Sequence, residues 1–387
     1  MGTSRGNRIR QRAFAVLLGL AVAFLAAEGG LRILLFCDLP PLERLARSLR
    51  QPAFYAEMRF EDAFWKLQHM WFHPNPERAF GPLHPTLGWV GKRIHSVTLT
   101  MADEQTIGDR RPVLLYGDSF AECVTPRIQA WQGLLDASPE GKTHALINFG
   151  ASGYGTDQSL TMLESTIGRY AARNPLVIFS IYLDEDPDRA LLSFRGHPKP
   201  RCDLVGGKLV VHGLEVPDAA TWWEENPVGV ASYAWRLFRG PRGPLPEAWQ
   251  RRLDPTATNT DMMIAINRAL LARLHEQLTA LNIEHVVLGF HGCMMLENPL
   301  DHIWREEFVS DACRELGMHY LSARPYLLNA LGGQADSVNA LVFGTDGEAD
   351  GHYNACGNRV VFEAMRQAIA GRYEVEDVSG VQAAVGR

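Results

Sequence analysis

Three short stretches carry side chains suited to nucleophilic chemistry. The first is Gly117-Asp118-Ser119-Phe120, directly after an apolar run at 112–116. A serine at the C-terminal end of a strand, ahead of a helix, lies where open α/β sheets place their ligands. The N–H groups at a helix start can also receive a developing oxyanion. Alone, the tetrapeptide equally describes a turn in which Asp118 or Ser119 caps a helix. The second stretch is Asn148-Phe149-Gly150-Ala151-Ser152-Gly153-Tyr154-Gly155-Thr156-Asp157-Gln158, again after an apolar run. Gly153 and Gly155 allow backbone N–H groups to approach a substrate oxygen, and Thr156 or Asp157 can cap the next helix. The third is Asp350-Gly351-His352-Tyr353-Asn354, just before a closing helical segment. An aspartate two residues before a histidine can orient the imidazole as a general base.

These stretches need a scaffold that brings residues 119, 153 and 352 together. Apolar runs at 112–116, 144–149, 176–183, 285–290 and 318–321 read as buried strands. Helical spacing marks 158–172 and 261–281, with Asn282 as a stop, and 360–370 as the closing helix. Strands alternating with helices predict a parallel sheet covered on both faces. Residues 190–255 interrupt the alternation with Pro, Gly and Trp and read as one insertion, carrying a hairpin at 202–211.

Together the three stretches resemble the sequence blocks of the SGNH (GDSL-type) hydrolase superfamily, over roughly residues 111–370. The layout, with Gly-Tyr-Gly-Thr-Asp-Gln in the middle block and Asp-Gly-His-Tyr-Asn near the end, is similar to that of membrane-anchored bacterial SGNH proteins. The resemblance implies a flavodoxin-like, three-layer α/β/α fold around a parallel sheet. It implies Ser119 as nucleophile, His352 as base and Asp350 as the group orienting it. It also implies an oxyanion hole built from the N–H groups of Ser119 and Gly153 and an asparagine after the third strand. That asparagine is missing: 182–189 reads Tyr-Leu-Asp-Glu-Asp-Pro-Asp-Arg, leaving Asp184 in its place. A carboxylate cannot donate to an oxyanion unless protonated, and losing one such donor typically costs about 100- to 1,000-fold in rate. Asp184, Asp186 and Asp188 alternate like a calcium loop, but Arg189 and Arg195 occupy its sixth and twelfth positions, which excludes an EF-hand. The plainer reading is a solvated acidic loop with Arg189 pairing locally. The last block has one residue between Asp and His rather than two, a form that looks like that of SGNH-like polysaccharide O-acetyltransferases.

The N-terminus sets the expected address. Arg5, Arg8, Arg10 and Arg12 precede residues 13–27, which carry no charge, and Glu28 and Arg32 then interrupt before 33–37. Counted to Phe36 the segment is long enough to span a bilayer. Glu28 and Arg32, four apart, can pair near the interface. An uncleaved anchor is favoured over a cleaved signal, because Ala21-Val22-Ala23 lies inside the apolar run. The arginines place the start in the cytoplasm and the remainder outside it. The expected division is therefore 1–37 tip and anchor, 38–110 stalk, 111–372 hydrolase-like domain and 373–387 loose tail.

The 387 residues are 46% hydrophobic and 21% charged, as in globular proteins, with a net charge of −6 that gives no basic footprint for nucleic acid. Six cysteines, none in a CxxC pair, exclude a disulfide scaffold and zinc ribbons. His285, His291, His302 and His319 are scattered, so neither a metal nor a cofactor is expected. The leading expectation is a membrane-anchored serine esterase removing small acyl groups, acetyl foremost, from an extracytoplasmic glycan. The alternatives are an O-acyltransferase with the same residues, served by a membrane protein that delivers the acyl group, and a non-catalytic binding module on the same fold.

Overall fold

The computed structural model describes residues 4–72, 82–214, 219–240, 256–297, 303–332, 335–344 and 351–372. The chain divides into two compact units, Met1–Pro74 with Asp218–Ala257, and Asn75–Pro217 with Thr258–Arg387. This differs from the division expected at 37 and 110. Residues 82–110 belong with the sheet rather than with a stalk, because Leu87 and Trp89 bond into the loops around residues 152–158. The insertion is likewise split: 190–217 stays with the sheet and 218–257 joins the N-terminal unit.

The larger unit is built on five parallel strands, β1 (Arg111–Tyr116), β2 (His144–Asn148), β3 (Leu176–Tyr182), β4 (Glu284–Phe290) and β5 (His319–Ser322). Their order is β2-β1-β3-β4-β5. This is the doubly wound order in which the crevice between β1 and β3 is the switch point. Strands buried on both faces need apolar side chains at successive positions, which is why each appeared as an unbroken apolar run. Val113, Leu115, Leu146, Ile178, Val286 and Leu288 pack on one face with the helices Trp131–Ala137, Arg324–Leu331 and Ala355–Ile369. On the other face Tyr116 bonds Thr166 of the helix Thr156–Thr166 at 2.8 Å. That helix is tied to the helix Thr256–Ala280 through Glu164 and Arg273 at 2.6 Å. The result is a three-layer α/β/α unit. The hairpin appears at Arg201–Val205 and Lys208–His212. The closing helix starts five residues earlier than the periodicity predicts, because Asn354 caps it, accepting from the N–H groups of Cys356 and Gly357.

In the smaller unit the helix Ser4–Phe36 contains the apolar segment Ile9–Phe36, 28 residues, long enough by length and composition to cross a membrane. Leu35 is buried with Tyr55, Ala63, Leu67, Val230 and Tyr233, so Glu43–Leu49, Asp62–Phe72 and Tyr233–Arg239 build a small helical unit around its end.

Candidate active site

The first block turns sharply after β1. A Cβ on Gly117 would lie 2.1 Å from Ser180 Oγ, so no side chain fits there. Asp118 then caps a single helical turn, Ser119–Glu122, with Oδ1 accepting from the Phe120 N–H at 2.9 Å. The β1–β2 ladder continues into the loops through Phe149 N–H to Leu115 O (2.7 Å) and Ala151 N–H to Gly117 O (3.1 Å). The second block is thereby laid alongside the first.

The third block reaches the same place from the far end of the chain. Phe343 N–H donates to His352 O, and the Asn354 amide donates to Ala340 O and Val342 O, fixing the loop just after His352. Tyr353 is buried, and its hydroxyl bridges the His291 backbone, accepting from N–H at 3.0 Å and donating to O at 2.8 Å. Burial raises the Tyr353 phenol above its ordinary range, so it stays a neutral donor. These anchors bring His352 Nε2 to 2.7 Å from Ser119 Oγ. The Phe120 ring stacks against the imidazole at 4.9 Å. Ser119 is 9% exposed, and its hydroxyl also lies 3.2 Å from Asp118 Oδ2. Ser119 and His352 are thus brought together at the C-terminal edge of the sheet. Asp350 lies outside the described residues.

Gly153 is buried, with φ +82°, a conformation that favours glycine. The residue before it is held at every polar atom. Ser152 N–H and Oγ donate to Glu122 Oε2 at 2.8 and 2.6 Å, and Ser152 O accepts from Trp89 Nε1 at 2.8 Å. Because a trans peptide points its C=O and the following N–H in opposite directions, fixing Ser152 O also aims the Gly153 N–H. Sequence reasoning missed Trp89 and Glu122. The only local signal was Trp89 within the segment assigned to a stalk.

The loop after β3 departs from expectation. Asp184, Asp186, Asp188 and Arg189 are all buried rather than solvated. Asp184 packs where a Cβ on Gly292 would meet its Oδ2 at 2.9 Å. Asp188 takes a forked pair from Arg305 at 2.9 and 3.1 Å. Arg189 does pair locally, with Asp186 at 2.7 Å and with Glu185, but it also reaches Asp118 Oδ2 and Tyr154 O, each at 3.0 Å. Burial works against the guanidinium charge, and Glu185, Asp186 and Asp118 more than offset it. Asp186 is pushed well above the usual carboxylate range by burial, then by the Asp118 charge, with Arg189 opposing. Arg189 therefore links the third loop to the carboxylate that touches the nucleophile. Burial, then the Arg189 charge, lower Arg195 to about 10.

The loop after β4 is similarly closed. Buried Glu306 meets His291 Nε2 at 3.1 Å, Arg324 Nη1 at 2.7 Å and the Ser322 hydroxyl. No group of three or more His, Cys, Asp or Glu suited to a metal occurs among the described residues.

No protein-family model and no curated protein matches the chain in sequence. Solved structures are similar to it in structure. The acetylxylan esterase Axe2 of Geobacillus stearothermophilus is 14% identical, with 70% of this chain and 99% of that chain covered and a TM-score of 0.38. LAE5, an alpha/beta hydrolase from the metagenome of Lake Arreo, Spain, is 12% identical, with 68% and 96% covered and a TM-score of 0.38. The acetyl xylan esterase AlAXEase is 13% identical, with 66% and 98% covered and a TM-score of 0.38. These are proteins the chain is similar to; the residues described above carry the functional reading.

Proposed function

We propose that the protein is an SGNH-type serine esterase that removes small acyl groups, acetyl foremost, from a glycan outside the cytoplasm. The observation that carries this reading is the 2.7 Å approach of His352 Nε2 to Ser119 Oγ at the sheet's C-terminal edge. Ser119 Oγ attacks the ester carbonyl carbon as its proton passes to His352. The N–H groups of Ser119 and Gly153 receive the oxyanion. The C–O bond to the sugar breaks, and His352 returns the proton to the leaving oxygen. Water then attacks the acyl-serine carbonyl as its proton passes to His352, the bond from the acyl carbon to Ser119 Oγ breaks, His352 returns the proton to Ser119 Oγ, and the free acid leaves. Asp350 is assigned to orient the imidazole. The address follows from the four arginines ahead of the apolar segment, and the glycan from that address together with the family resemblance.

The one-residue Asp350–His352 spacing favours a second reading, transfer of the acyl group to a sugar hydroxyl instead of water, with a membrane protein delivering the acyl group. The deciding experiment treats the full chain with a serine-reactive phosphonate and locates the adduct by mass spectrometry. An adduct on Ser119, lost in His352→Ala, supports the nucleophile and base. Undiminished turnover in Ser119→Ala overturns both readings. Incubation with an acetylated oligosaccharide and an unmodified one then separates them: free acetate marks the esterase, and acetyl on the second sugar marks the transferase.

A further inference from the structure

Glu28 and Arg32 interrupt the apolar segment, and the structure gives both a use. The Glu28 carboxylate accepts from Ser232 Oγ (2.8 Å), Tyr233 N–H (3.2 Å) and Ala234 N–H (2.8 Å). Arg32 pairs with Glu28 at 2.6 Å, donates to Ala231 O at 3.1 Å and lies 5.0 Å over the Tyr233 ring. The start of the helix Tyr233–Arg239 is therefore fixed level with residues 28–32 of the long helix. Leu35 and Phe36 extend the same contact, Phe36 meeting the Tyr233 ring at 5.3 Å.

This grip shortens the free apolar length. Between Arg12 and Glu28 stand fifteen uncharged residues. At 1.5 Å per residue they cover about 22 Å, whereas a bilayer's hydrocarbon core is about 30 Å thick. The deficit of about 8 Å falls on the gripped stretch. There the helix still presents Ile33, 53% exposed, and Phe36, 40% exposed. Beside it Trp235 and Phe238 stack at 5.9 Å on one face of the short helix, 42% and 43% exposed. Their apolar surface starts at the height where the free helix runs out, and tryptophan is the residue enriched at the membrane–water boundary. Arg236 on the same helix is held by Glu61 through two bonds of 2.8 Å, so its charge is paired at this level.

We propose that the helical unit is an interfacial collar, with the Trp235–Phe238 pair seated in lipid at the edge of the outer leaflet beside the apolar helix. The proposal rests on the reading of Ile9–Phe36 as a membrane span. The short free length would thin the bilayer around the helix if the unit stayed in water; sinking the aromatic pair removes that mismatch.

The test uses the full chain in phosphatidylcholine–phosphatidylglycerol vesicles. Cys37→Ser and Cys356→Ser remove the exposed thiols. A nitroxide is then attached in turn through Leu18→Cys, Trp235→Cys and Phe238→Cys, and its collisions with oxygen and with a water-soluble nickel chelate are measured. An unchanged far-ultraviolet circular dichroism spectrum and melting transition certify each variant's fold. The expected result is a deep lipid position at 18 and, at 235 and 238, oxygen collisions exceeding nickel collisions by about threefold or more. A lipid value at 18 with water-like values at 235 and 238 overturns the collar and leaves the anchor intact. Low collision with both reagents at 235 and 238 marks protein contact and overturns the lipid assignment. A water-like value at 18 overturns the anchor and the collar with it.

Discussion

The loops after β2 and β3 flank the same serine and use their polar groups in opposite ways. After β2, Ser152 is fixed by Glu122 and Trp89, and the next N–H, that of Gly153, meets no acceptor among the described residues. After β3, Glu185, Asp186 and Asp188 are committed to Arg189 and Arg305. A loop held from outside keeps a backbone donor for a ligand. A loop that pairs its own charges becomes scaffold, and its acids have little left to offer a reacting oxygen.

The comparison can be broken or sharpened by substitution. The pivot comes first. Ser119→Ala should lower kcat by about 10⁴-fold or more while the folded state persists, read by ester hydrolysis and thermal melting together. Arg189→Met tests the loop after β3. It leaves buried Asp118 and Asp186 without their shared cation, while Glu185 keeps Arg195 at 3.5 Å, and removing one member of a buried ion pair costs about 3–5 kcal/mol. Urea unfolding should show that loss, and a loss under 1 kcal/mol would show that Arg189 is not the hub described. Trp89→Phe tests the loop after β2. It removes one donor from Ser152 O, and a net hydrogen bond of about 1 kcal/mol corresponds to about a fivefold effect. The drop should fall on kcat with KM little changed, and stability should fall far less than in Arg189→Met. An equal loss in kcat and stability would erase the distinction between aiming and scaffold.

The last test is read across acid pH and concerns the loop after β4. Burial works to raise the Glu306 carboxyl, yet His291, Ser322 and Arg324 hold it at about 2. With a folded value below the ordinary 4.5, its contribution to stability is complete above about 4.5 and disappears as pH falls toward 2. Melting temperature should decline over that interval, and Glu306→Gln should flatten the decline while lowering stability at pH 7.

The strands, the turn at Ser119 and the loop at His352 were legible because each depends on neighbours in sequence. Apolar runs report burial, and Asn354 caps a helix next to the histidine it helps place. Trp89 and Arg189 were not legible in their roles. Trp89 acts on a residue 63 positions away, and Arg189 on one 71 positions away. No local pattern distinguishes an indole that aims a peptide from one that fills a core. The acidic run after β3 misled for a related reason: charge density suggests solvent, and only the arrival of Arg305 from 117 positions downstream makes burial tolerable.

Ser119 and His352 meet across 233 residues of chain, and this separation orders events during synthesis. In chain order the serine precedes β2 to β5, and the histidine follows the last of these strands, so it emerges only when the sheet's last strand is already made. A growing chain carries an unactivated hydroxyl for most of its translation. On the proposed reading, Ser119 gains its base only once β5 and the loop ahead of the closing helix are in place, so a chain stopped before His352 would be inert toward esters.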